Sequence, residues 1–139
     1  MTELTLERAN ALIAKALGTA LEHDWLISAA VIDRHGNLIA FARQDDSTLA
    51  SVLSAQAKAW TAAAIGVSTA DLQPLTAPGQ PIYGLPHAAG PGRPLTPLPG
   101  AVPIHDDNGA LLGAIGIGGA PAPEHDQAVA ENAATNLVQ

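Results

Sequence analysis

Nine of the eleven prolines in this 139-residue chain fall between Pro74 and Pro103, interleaved with Gly79, Gly84, Gly90, Gly92 and Gly100. Proline fixes φ and removes a backbone donor, so no continuous helix and no long central strand survives in that stretch. At most, short strands fit at Leu95–Leu98 and Ala101–His105. The regular elements must come from either side of it. A loop this long inside a compact domain is usually functional or disordered. Here its prolines lower the entropy lost on ordering, and Tyr83, Leu85 and Leu95 offer apolar anchors. The segment is therefore expected to be ordered and to form one wall of a pocket.

The N-terminal side reads clearly. Leu6, Ala9, Ile13, Ala16 and Ala20 recur at helical spacing, Leu12, Leu17 and Leu21 widen the stripe, and Thr5 suits the N-cap. The run Leu26–Ile32 is nearly all apolar, as a strand covered on both faces would be. Asp33-Arg34-His35-Gly36-Asn37 reads as a turn, and Leu38–Arg43 returns to make a hairpin. A second helix is expected from Ser47 or Thr48 to Ile65. Leu49, Val52, Leu53, Gln56, Trp60 and Ala64 mark one face, and Ser51, Ala55, Lys58, Ala59 and Ala62 the other. A helix apolar or small on both sides is usually sandwiched between two layers. Its alanine-rich face, with the low charge content, predicts a homo-oligomer in which Ala55 and Ala59 lie at the contact. Ser68-Thr69-Ala70-Asp71 resembles a capping box for a short helix. Asp107-Asn108-Gly109 leads as a hairpin turn into an apolar strand at Leu111–Ile117, and a last helix is expected from Pro123 to about Leu137. Hairpins outnumber strand–helix–strand crossovers, which argues an α+β fold with an antiparallel sheet flanked by helices, in one domain spanning 1–139.

Hydrophobic residues make up 47% and charged residues 14%, which excludes general disorder. The formal charge is −7 and the six Lys and Arg are scattered, so a nucleic-acid partner is not expected. There is no cysteine, which excludes disulfides, thiolate metal sites and thiol nucleophiles. No apolar run reaches the roughly 18 residues that span a bilayer, and the first ten residues lack a signal-peptide pattern. A cytoplasmic protein with no membrane partner is the expectation.

Chemistry is suggested at Leu111–Asp126. Gly113, Gly116, Gly118 and Gly119 strip side chains from a strand end and its turn, which happens where a ligand or another backbone approaches closely. Pro123, Glu124 and Asp126 then open a helix in the manner favoured at an N-terminus. A small-molecule site is expected here, bounded by the Pro/Gly segment. Asp126 is a candidate general acid or base. Lys58, one of two lysines, lies on an otherwise small-residue helix face where desolvation would tune it. His125 and His87 are candidate proton carriers near neutral pH. Gly118, Gly119, Tyr83 and Arg93 are the candidate ligand-binding residues. No metal site is expected, because no HExxH-like spacing occurs.

The motif series resembles a known family. Leu4-Thr5-Leu6-Glu7-Arg8-Ala9, Ala29-Ala30-Val31-Ile32-Asp33 with Gly36-Asn37-Leu38, and Ala55-Gln56-Ala57-Lys58-Ala59-Trp60-Thr61-Ala62 come in order. Pro99-Gly100-Ala101-Val102-Pro103-Ile104, Gly113-Ala114-Ile115-Gly116-Ile117 and Pro123-Glu124-His125-Asp126 complete it. Nearly the whole chain resembles the GlcG/HbpS-like haem-binding (haem-degrading) family, related to the C-terminal domain of PduO-type cobalamin adenosyltransferases. The resemblance implies a profilin-like fold with a five-stranded antiparallel sheet, and assembly into dimers or larger even-numbered oligomers. It also implies haem or a related tetrapyrrole as the ligand. Axial donors would come from His23, His35, His87, His105, His125, Met1 or Tyr83, with His87 and His125 favoured. The chain departs from the family in having Gly118 and Ala122 where Ser is common, and His125 where Gln is common. Two functions therefore stand side by side: a small-ligand or haem-binding oligomer, or a cofactor-independent lyase, isomerase or hydratase.

Overall fold

The computed structural model describes residues 3–92 and 95–135. Helix α1 spans Leu6–Glu22, and the Thr5 hydroxyl accepts from the Arg8 amide at 3.1 Å to cap it. Strands β1 (Ser28–Asp33) and β2 (Leu38–Arg43) form the expected hairpin. Helix α2 spans Leu49–Ile65, with Thr48 as N-cap and Gly66 closing it at φ 85°. The short helix α3 (Thr69–Leu72) starts after Ser68, but the Ser68 side chain makes no capping bond, so the capping box is not formed. Strands β3 (Ala101–His105) and β4 (Leu111–Gly118) form a second hairpin, and α4 runs Pro123–Thr135. The expected end of that helix at Leu137 lies outside the described residues.

The fold is α+β, with an antiparallel sheet in the order β2-β1-β4-β3. It has four strands among the described residues, not the five that the family resemblance implies. The segment Leu95–Leu98, expected as a short strand, is irregular. The physical reason is local. Pro97 interrupts its donors, and its remaining amides turn to side chains: Thr96 N donates to Thr61 Oγ1 at 2.9 Å, and Leu98 N to Thr96 Oγ1 at 3.3 Å. Pro103 is accommodated because β3 is an edge strand.

Both hairpins turn by the same device. Asp33 Oδ1 accepts from the amides of His35 and Asn37 at 2.8 and 2.9 Å, and Asp106 Oδ1 from those of Asn108 and Ala110 at the same distances. Gly36 and Gly109 take the positive φ, 88° and 83°. Partial burial pushes the Asp33 carboxyl up, but the Asn37 and His35 amides outweigh it and hold the group below its ordinary range.

Side-chain alternation along the strands separates two layers. Ala29, Val31, Val102, Ile104, Leu112, Ile115 and Ile117 join Leu12, Ile13 and Val129 of α1 and α4 in one core. Ala30, Ile32, Ala101 and Ala114 meet Ala55, Ala59 and Ala62 of α2 in a second, thinner core. The expected oligomer contact on α2 is therefore corrected: Ala55 and Ala59 have no exposure and face the sheet. Leu49 and Leu53, on the face read from sequence as the larger apolar stripe, stand 81% and 69% exposed.

Candidate functional site

Lys58 and Asp126 come together. Lys58 reaches past the sheet, where Nζ donates to Asp126 Oδ2 at 2.9 Å and to the Ile117 carbonyl at 3.1 Å. Asp126 Oδ1 accepts from the Ala120 amide at 2.9 Å. Both side chains are almost fully buried. Burial pushes the Asp126 carboxyl up from its ordinary value, and the Lys58 charge, with its hydrogen bond and the Ala120 amide, offsets this only in part. Gly100 makes room for the lysine: a side chain there would lie 2.7 Å from Lys58 Cδ. Next to it, Gly100 N donates to Gln127 Oε1 at 2.7 Å, and Ala101 N to Thr69 Oγ1 at 3.1 Å. This cluster joins α2, α4 and the exit of the Pro/Gly segment. Gln127 and Thr69, which carry no signal in the sequence, belong to it.

Gly116 and Gly118 of β4 face α2, Gly113 lies against the backbone of β1, and Gly119 after the strand lies against Leu26 and Ser51. A side chain at Gly118 would press on Ser51 O at 2.9 Å, and one at Gly119, where φ is 106°, on Leu26 O at 2.7 Å. Of the two readings open for a glycine-rich strand, close approach of another backbone is the one the packing supplies. His125 stacks on Trp25 at a centroid distance of 4.6 Å, and His23 on the same indole at 4.3 Å. His87 sits exposed on a 3-10 turn, Leu85–His87. Tyr83 is 61% exposed, so it does not anchor the Pro/Gly segment as expected. Arg93 lies outside the described residues, as does Met1.

A concavity lies elsewhere. The outward face of α2 and the β1–β2 hairpin enclose an open groove of about 450 Å³. Ile32, Leu38, Leu53, Ala57 and Trp60 give it apolar walls, Gln56 a polar point, and Gly92 brings in the Pro/Gly segment. A smaller recess of about 130 Å³ adjoins it across Gly36 and Trp60, bounded also by Arg34 and His35. The Pro/Gly segment thus contributes to a groove wall, but at the hairpin end of the molecule and not beside Gly118 and Gly119. The sequence carried one signal for this site, namely the apolar residues on both faces of α2. A helix with one face on the sheet and large apolar residues on the other leaves that second face for a ligand or a partner.

The chain is a three-layer α+β fold with a buried Lys–Asp tie and an apolar groove beside a hairpin turn, a concavity of the kind that small ligands occupy. A family model described as Haem degrading protein HbpS-like matches residues 4–135, and the chain belongs to that family. Protein GlcG of Escherichia coli K12 is 32% identical over 114 residues, covering 82% of this chain and 80% of GlcG. The crystal structure of a Streptomyces reticuli HbpS double mutant superposes with a TM-score of 0.88 at 31% identity, covering 100% of this chain and 90% of HbpS. A crystal structure of a PduOC:heme complex superposes with a TM-score of 0.89 at 28% identity, covering 98% of this chain and 96% of PduOC.

Proposed function

We propose that this chain binds haem or a related tetrapyrrole in the groove between α2 and the β1–β2 hairpin. The observation that carries the reading is the groove itself: about 450 Å³, apolar-walled and open along one side, within the size range of small-ligand sites. The family's haem-degrading description and the heme held by the structurally similar PduOC support it. Haem needs an apolar slot and an axial donor. Ile32, Leu38, Leu53 and Trp60 fit the first need, and the exposed His35 in the turn beside Gly36 fits the second. His87 and His125, favoured from sequence, do not line the groove. Bound haem would supply iron redox chemistry; the protein residues would shield one face and hold the ring.

Titration with haemin tests this. The expected result is a shifted Soret band saturating at one haem per chain. Leu53→Glu, at an exposed position that the fold does not need, should weaken binding at least about tenfold by placing a charge against the macrocycle. His35→Ala should change the visible bands. Absence of any Soret shift at micromolar protein would overturn the reading.

Self-association belongs to the same proposal, now through the N-terminal end of α2, where Leu49 is 81% exposed and does not line the groove. Light scattering should give a dimer or larger mass, and Leu49→Glu should lower it. A monomer at micromolar concentration would count against it. The alternative, a cofactor-independent acid–base enzyme using Asp126 and Lys58, has less support, because both groups are buried against each other and neither lines the groove.

A further inference from the structure

We propose that the recess formed by Arg34 and His35 is a carboxylate subsite, so that the ligand of the groove is an apolar molecule carrying a carboxylate at one end. The inference rests on the groove being the ligand site.

A guanidinium presents its N–H groups in a planar fork. In Arg34 the Nη2 edge is used, donating to Glu3 Oε1 at 2.6 Å. Nη1 is buried and finds no acceptor among the described residues. Buried polar groups are nearly always paired, and an unpaired one is costly, most of all when it carries charge. Arg34 lines an open recess with a side chain that is 20% exposed, so a turn of the guanidinium toward the recess would let this donor meet an acceptor that arrives from outside. The recess has the matching shape. At about 130 Å³ it takes a small polar group, and it adjoins the apolar groove, sharing Gly36 and Trp60 with it. A molecule lying along Leu53 and Trp60 therefore ends its apolar body beside Arg34.

The class of acceptor follows from geometry and charge. A planar fork matches a planar carboxylate, and the pairing is charge-assisted. The chain carries a formal charge of −7, which disfavours a dianionic phosphate more than a monoanion. Glu3 already shows the kind of group to which Arg34 donates, and it does so from the solvent side, with 54% of its side chain exposed. A ligand carboxylate at Nη1 would complete a guanidinium held between two carboxylates.

A carboxylate on an apolar ligand could be a propionate of haem or the acid group of a smaller aromatic molecule, and the test separates them. The full-length protein is titrated with haemin and with its dimethyl ester, reading the Soret band and tryptophan quenching. Haemin is expected to bind about tenfold more tightly than the ester. Arg34→Met should remove that preference, Arg34→Lys should restore part of it, and Glu3→Gln should leave it intact or enlarge it. A merely structural Arg34–Glu3 tie would make Arg34→Met and Glu3→Gln change binding alike. Haemin and ester binding with equal affinity to the unaltered protein would overturn the subsite and leave haem binding standing. If neither tetrapyrrole binds, the haem reading fails, and 2-naphthoate against its methyl ester decides the subsite. Preference for the acid that Arg34→Met abolishes supports it, and no preference overturns it. Circular dichroism melting of each variant confirms that the folded protein is being titrated.

Discussion

Replacing Asp126 with Leu is expected to lower stability by about 3–5 kcal/mol, the cost of leaving the Lys58 ammonium buried without acceptor or counter-charge and the Ala120 amide without its partner. In a domain of this size that is a fall in Tm on the order of 10 °C or more. Lys58→Met should cost less, because Asp126, whose carboxyl burial already raises, keeps a proton once the lysine is gone. The double variant Lys58→Met, Asp126→Leu should lose less than Asp126→Leu alone, since two apolar side chains need no partners. Chemical denaturation of the three proteins checks all of this. Stability of Asp126→Leu within about 0.5 kcal/mol of the parent would show that the pair does not hold α4 to α2.

The same pair has a pH signature. Burial raises the Asp126 carboxyl above its ordinary value, so the folded chain holds that proton at pH values where the unfolded chain has released it. Stability from this group is then fully present below the ordinary aspartate range. It declines as pH rises through the raised value and is level above it, where carboxylate faces ammonium. Asp33 has the opposite sign: its stabilisation is present above the ordinary range and is lost as pH falls through the lowered value. Asp126→Asn should remove the first dependence and leave the second.

Gly116→Ala should destabilise by about 3 kcal/mol, the upper end of ordinary overpacking, because the added methyl meets backbone and not a flexible side chain. A Cβ at Gly116 would overlap the Ala55 carbonyl oxygen and lie 2.5 Å from the Ala59 amide nitrogen. Gly116→Val should prevent folding. The same substitution at Gly18 supplies the contrast: Gly18 lies within α1, and beyond that helix's own backbone an added methyl would meet nothing within 4 Å. Gly18→Ala should therefore stabilise by about 0.5–1 kcal/mol through helix propensity. Equal effects at the two positions would show that β4 and α2 do not depend on this close approach. Gly119→Val, which on the expected site would block a ligand while sparing the fold, should instead lose stability, because of both Leu26 O and the φ of 106°.

Much of the candidate site was hidden in the sequence for a specific reason. The stripe Leu49, Leu53, Gln56 and Trp60 reads in the sequence as one of two covered faces of a sandwiched helix, because large apolar residues usually point inward. Here β4 offers only glycine and alanine to α2, Gly118, Gly116 and Ala114, and small residues on α2 let the helix approach it closely. The alanine face went in and the leucine face stayed out. Tyr83 illustrates the same limit: an aromatic in a proline-rich loop is a reasonable anchor, yet nothing local says whether the core has room for it.

What the amino-acid sequence determined by itself is whatever a few neighbouring residues decide. The Thr5 and Thr48 caps, the positive φ at Gly36 and Gly109, the hairpin turns and, among the described residues, the absence of a long element across Pro74–Pro99 all follow from contacts within about five residues. The tertiary structure decided what joins distant parts. Lys58 and Asp126 are separated by 68 positions, Thr61 and Thr96 by 35, and Arg34 and Glu3 by 31. Each pairing depends on how the layers stack and which face each helix turns inward. That choice is made by the volume of many side chains at once, so no single motif could disclose the buried ion pair, the groove along Trp60 or the unpaired nitrogen of Arg34.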